Sequence, residues 1–216
     1  MPVPIHLPAG FAIVLLVLAV SFVLSALTFP LYIRWLKRKQ IEQFIREEGP
    51  QSHAAKAKTP TIGGLCFIAV SSVVTAGALL FQHGTVFGDN PYVALAALVT
   101  SVAILCGLVG FADDFAKVTS KSNAGLSATT RLLTEFFLGA VLGLCICVFQ
   151  LPGSHFAQNL LGLPDGTAAA IANLIYLFGF IPFLVAATAN ALNLHDGMDG
   201  LAAGTSLQVF VVVAVM

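Results

Sequence analysis

Three polar segments of the 216-residue chain gather the residue types that phosphate chemistry needs. The first is Gly110-Phe111-Ala112-Asp113-Asp114-Phe115-Ala116-Lys117, where two adjacent carboxylates leave an apolar run together. Such a pair repels unless a cation or a proton joins it. On a helix Lys117 falls four residues from Asp113 and three from Asp114, on a shared face. Carboxylates beside an ammonium suit a phosphate held through a divalent ion, because Mg²⁺ takes a few carboxylates together with substrate phosphates. A helix end with solvated charges and an i,i+4 ion pair accounts for the same residues.

The second segment is Asn190-Ala191-Leu192-Asn193-Leu194-His195-Asp196-Gly197-Met198-Asp199-Gly200. Asn190, Asn193, Asp196 and Asp199 recur every three residues, so a helical or near-helical turn is expected to align them. Gly197 and Gly200 remove side chains beside the acids and let another backbone or a ligand approach. Amides and carboxylates beside glycines can read a nucleobase or sugar while orienting a metal. Asp-Gly is also a common turn dipeptide, but four periodic polar groups exceed what a turn requires. His195 by itself reads as a solvated interfacial histidine. In the third segment, Lys56 and Lys58 can attract a lipid phosphate or a diphosphate, and Thr59 and Thr61 can add hydroxyl hydrogen bonds. Gly63-Gly64 then permits tight helix packing. Simple anchoring of a membrane helix by basic residues is the competing account of these lysines.

The elements that position these segments follow from composition. Hydrophobic residues make up 58% of the chain and charged residues 9%, with a mean hydropathy of +0.94. Soluble domains average about a quarter charged residues, so the chain reads as an integral membrane protein. Ten Lys+Arg balance ten Asp+Glu, which excludes a nucleic-acid binder acting through a basic field. Disorder is excluded by the same hydrophobicity. Cys66, Cys106, Cys145 and Cys147 lie in apolar runs and read as small packing residues, not as a disulfide or zinc framework.

A spanning helix needs about 20 mostly apolar residues. Residues 11–32, 62–81, 92–111, 132–151 and 169–189 qualify, and a short sixth run occupies 201–216. The expected fold is therefore all-α: one polytopic membrane domain over 1–216, with five full spans and a truncated sixth. The first span lacks a basic n-region and reads as a retained helix, not a signal peptide. Every Lys and Arg falls after the first or third span, on one side, which the positive-inside rule assigns to the cytoplasm. The N-terminus is then outside, and the three polar segments face the cytoplasm. No ionisable group is expected at mid-span, which disfavours a proton or ion transporter.

Taken together, the segments resemble the polyprenyl-phosphate sugar-1-phosphate transferases. The resemblance rests on Ile45-Arg46-Glu47-Glu48-Gly49-Pro50-Gln51-Ser52-His53, the Thr59-Pro60-Thr61-Ile62-Gly63-Gly64 stretch, the Gly110-to-Asp114 segment and Asn193 through Gly204. The first two favour the muramoyl-pentapeptide branch over relatives that use UDP-N-acetylglucosamine. The resemblance implies a multi-pass protein of the bacterial cytoplasmic membrane. It also implies transfer of phospho-N-acetylmuramoyl-pentapeptide from UDP-N-acetylmuramoyl-pentapeptide to undecaprenyl phosphate, with release of UMP and with Mg²⁺ as cofactor. This is the first membrane step of peptidoglycan synthesis. Membrane lipid is a further partner, nucleic acid is not, and a homodimer is compatible with the family. By the same resemblance Asp113, Asp114 and Asp196 are catalytic and are the candidate metal ligands. Lys56, Thr61, Lys117, Asn193 and Asp199 contact substrate. Lys58, Ile62 and His195 depart from the usual Gly, Met and Thr. The family's longer members carry a further aspartate and a His-rich loop, so this chain reads as the N-terminal portion of such an enzyme, inactive alone. A fragment or subunit completed by a second polypeptide is the rival expectation.

Overall fold

The computed structural model describes residues 9–39, 60–83, 90–120, 125–196 and 200–215. Described residues are helical or in short connections: α1 (Ala9–Arg38), α2 (Gly64–His83), α3 (Pro91–Ser120), α4 (Ala128–Val148), α5 (Phe156–Leu161), α6 (Thr167–Ile175), a π turn (Tyr176–Phe180), α7 (Ile181–His195) and α8 (Leu201–Val215). Five stretches are long and apolar enough to cross a membrane, namely Ile13–Arg38, Gly64–Phe81, Pro91–Ser120, Ala128–Val148 and Thr167–His195. The apolar stretch Leu201–Val213 is shorter. Hydropathy thus locates every long helix but not its ends. α3 continues nine residues beyond Phe111 and α4 starts at Ala128 instead of Leu132. Polar residues end an apolar run without ending a helix, because the backbone ladder is indifferent to side-chain polarity. Ser127 instead sets the start of α4, its hydroxyl accepting from the Thr130 N–H at 3.0 Å. The connection expected over 152–168 also contains a helix, α5, which Gly162 ends in the left-handed conformation (φ +63°).

The chain forms two compact units, Met1–Val86 with Gly110–Gly125, and Phe87–Val109 with Leu126–Met216. In the first, α1 packs along α2. The Tyr32 hydroxyl donates to the Ile62 carbonyl at 3.0 Å, and Cys66 Sγ lies 3.7 Å from Thr28 Oγ1. Leu36 is fully buried. Cys66 is a buried free thiol, in keeping with a packing role.

In the second unit, α4 and α7 run antiparallel and in close contact. Gly139 faces Pro182 and Gly143 faces the Leu177 carbonyl, so a Cβ on either would meet backbone at once. Small residues four apart let two helix backbones approach, which in lipid replaces the missing hydrophobic drive. Val102, Leu142, Ile146, Leu151, Leu177 and Ile181 close the core around this seam. The π turn directly precedes Pro182, which has no N–H to give to the preceding turn. Widening that turn is a common way to accommodate a proline within a spanning helix.

Candidate functional site

In the first unit the last turns of α3 carry Asp113, Asp114 and Lys117. The helix continues through all three, so their spacing becomes a geometry. Lys117 Nζ lies 2.5 Å from Asp113 Oδ2 and 3.3 Å from Asp114 Oδ1. One ammonium therefore offsets the repulsion between two adjacent carboxylates. Asp113 is buried, with its side chain 7% exposed, whereas Asp114 and Lys117 keep about a third of theirs open. Gly125 lies over Asp113 so closely that a Cβ there would overlap its carboxylate and come within 2.9 Å of Lys117 Cε.

The other oxygen of Asp114 is held from a distant part of the chain. Thr61 Oγ1 donates to Asp114 Oδ2 at 3.1 Å, and the Ile62 N–H donates to the same atom at 3.3 Å. Ile62 sits at φ +67°, the left-handed region that a β-branched residue rarely enters. Its buried side chain and the Tyr32 hydroxyl on its carbonyl hold it there. Residues held in such conformations cluster at functional sites.

The second unit places Asn190, Asn193, Asp196 and His195 at the end of α7. A three-residue step on a helix advances about 300°, so the periodic residues spiral instead of aligning. Asn190 turns into the contact with α4, while Asn193, His195 and Asp196 are exposed. His195 Nδ1 lies 3.1 Å from the Ala191 carbonyl, one turn back. Lys56, Lys58, Thr59 and Asp199 lie outside the described residues.

Sequence reasoning misses Glu135. It is an acid in the second turn of α4, inside a spanning segment where no ionisable group was expected, and it is 5% exposed. Asn190 Nδ2 donates to Glu135 Oε2 at 2.5 Å, and Arg131 Nη2 donates to Asn190 Oδ1 at 3.5 Å. The signals were a lone acid within an apolar run and Arg131 four residues earlier.

Among the described residues no three His, Cys, Asp or Glu side chains gather to hold a metal ion. The donor chemistry of Asp113 and Asp114 nonetheless fits Mg²⁺, which uses one or two carboxylates and completes its shell with phosphates and water. The partly open Asp114 and Lys117 leave that pair reachable.

Five membrane-length helices and a lysine-bridged aspartate pair at a helix end define a membrane protein equipped to handle phosphate groups. The chain belongs to glycosyl transferase family 4, whose model matches residues 94–216. It is 35% identical over 197 residues to the phospho-N-acetylmuramoyl-pentapeptide-transferase of Staphylococcus carnosus, covering 91% of this chain and 58% of that protein. The namesake from Thermoanaerobacter sp. strain X514 is 37% identical over 206 residues, covering 93% and 57%. That of Staphylococcus haemolyticus is 37% identical over 206 residues, covering 95% and 59%. The chain thus spans a little under three fifths of the length of these relatives. No solved structure matches it.

Proposed function

We propose that the protein transfers phospho-N-acetylmuramoyl-pentapeptide from its UDP-linked form to undecaprenyl phosphate, releasing UMP, at the cytoplasmic face of the bacterial membrane. The observation that carries this reading is the Asp113–Lys117–Asp114 cluster with Thr61 on Asp114, in a chain whose relatives bear that transferase name.

An oxygen of the lipid phosphate attacks the sugar-linked phosphorus of the UDP-sugar. A new P–O bond forms, the diphosphate bond to UMP breaks, and UMP leaves with that electron pair. A phosphomonoester has a second pKa of about 6, so the attacking group is largely dianionic at neutral pH. Little proton removal is then asked of Asp113 or Asp114. The difficulty is bringing two anions together, and Lys117 supplies a positive charge where they meet. Thr61 and the Ile62 N–H hold Asp114 by one oxygen and so fix the direction of the other. Bound Mg²⁺ would supply further charge neutralisation at the diphosphate. Lys56 would add a second ammonium, Asn193 and Asp199 would contact the nucleotide sugar, and Asp196 would join the catalytic acids. The segregation of every Lys and Arg to one side supports the cytoplasmic assignment.

The test is UMP release from UDP-N-acetylmuramoyl-pentapeptide and undecaprenyl phosphate by membranes carrying the protein. Release should require Mg²⁺ or Mn²⁺ and fall at least ~100-fold in Asp113→Asn, Asp114→Asn and Asp196→Asn, the scale of losing one strong electrostatic element. Near-normal rates in all three would refute the site. Preference for UDP-N-acetylglucosamine would move the protein to the neighbouring branch of the family.

A further inference from the structure

The second unit contains a polar trio that the reaction above does not use. Asn190 has two amide hydrogens, and the structure occupies both: Nδ2 donates to Glu135 Oε2 at 2.5 Å and to the Ala186 carbonyl at 2.8 Å. A flipped amide would set its oxygen against a carboxylate and a carbonyl, so only one orientation is compatible with both partners. That orientation aims Oδ1 at Arg131 Nη2, 3.5 Å away. Arg131 Nε is buried without a hydrogen-bond partner among the described residues. Arg131 also lies in the first turn of α4, where the helix dipole already favours an anion over a cation. A guanidinium there, with a donor unspent, is suited to an anionic group.

A buried carboxylate inside a spanning helix is costly, and an apolar side chain of similar size packs between helices without that cost. The Gly139 and Gly143 contacts already bring α4 and α7 together. What Glu135 adds to this seam is direction.

We infer that Glu135 is a positioning residue. Its carboxylate fixes the Asn190 carboxamide with the oxygen toward Arg131, and so holds the guanidinium for a phosphate or diphosphate oxygen of the substrate. The inference rests on the proposed transferase reading for its substrate class, but the Glu135–Asn190 relationship is testable without turnover.

Protein labelled with ¹⁵N-asparagine in detergent micelles supplies that test, with the Asn190 side-chain NH₂ resonance identified from Asn190→Ser. A strong bond to a carboxylate should hold one NH₂ proton downfield. Glu135→Ala should collapse that shift, and Glu135→Gln, which keeps an acceptor oxygen without the charge, should give an intermediate position. The thermal midpoint of Glu135→Gln should stay near wild type, which separates orientation from folding should Glu135→Ala be unstable. An Asn190 resonance indifferent to both variants would overturn the inference. UMP release should fall roughly 10- to 100-fold in Glu135→Ala, as when an outer partner of a site residue is lost, and recover in part in Glu135→Gln. Unchanged rates beside a collapsed resonance would overturn the positioning role. Absent turnover in wild type would count against the transferase reading, while the resonance would still decide whether Glu135 orients Asn190.

Discussion

Thr61 and Asp114 are 53 positions apart in the chain, and the Thr61 hydroxyl donates to Asp114 Oδ2 at 3.1 Å. The bond ties the residues just before α2 to the last turns of α3. Asp114 thereby has one oxygen committed to the protein and the other shared with Lys117. Thr61→Val should lower UMP release by roughly tenfold, since a hydrogen bond to a charged group is worth about 1.5–3 kcal/mol and Asp114 keeps part of its hydration. Thr61→Ser should restore most of the rate. A Thr61→Val enzyme as fast as wild type would mean that Asp114 needs no such restraint.

Gly125 gives a second handle on the same site. Because a Cβ there would overlap the Asp113 carboxylate, Gly125→Ala must push that side chain aside. A displacement of about 1 Å in a positioning site can cost ~100-fold. The expected outcome is a loss on that scale with unchanged membrane insertion, read by UMP release beside protein abundance in the membrane fraction.

The α4–α7 seam is tested by stability, independently of chemistry. Gly143→Ala places a methyl against the Leu177 carbonyl, which as backbone cannot rotate away. Overpacking of this kind costs about 1–3 kcal/mol and should lower the thermal midpoint in detergent by several degrees. Gly77→Ala is the control, because nothing lies within 4 Å of the added methyl. Equal midpoints for the two variants would contradict the close packing.

Orientation follows from the charge asymmetry and is open to a direct check. A cysteine at Asp165 should react with an impermeant thiol reagent in intact cells, and one at Ser120 only after permeabilisation. Both positions are exposed. The reverse pattern would put the aspartate pair on the side away from cytoplasmic nucleotide sugars.

The long helices were legible because spanning imposes a run of apolar residues that few other structures need. The Asp113–Asp114–Lys117 arrangement was legible too, since helical spacing alone brings those groups together. Its partners were not. Thr61 reaches Asp114 through tertiary folding, and nothing in an Ile side chain announces a left-handed backbone at position 62. The even spacing of Asn190, Asn193 and Asp196 misled, because three residues fall short of a helical turn and the small error accumulates. Glu135 was hidden by its apolar neighbours. The α4 seam did leave a trace, Gly139-Ala140-Val141-Leu142-Gly143, the small-xxx-small spacing that marks close helix pairs in lipid.

The π turn at Tyr176–Phe180 has a consequence for how this region tolerates changes in length. A π turn accommodates one more residue than the α-helical turn it replaces. Deleting a single residue there would let the helix close into regular α geometry with its span nearly unchanged, so insertion should survive. Everything after the deletion would be rotated by about 100°. Asn190 would swing away from Glu135, and a different set of side chains would meet α4. A one-residue deletion at this turn should therefore act like several simultaneous substitutions fifteen residues away, whereas a deletion between Leu201 and Val215 would leave the Asn190–Glu135 register untouched.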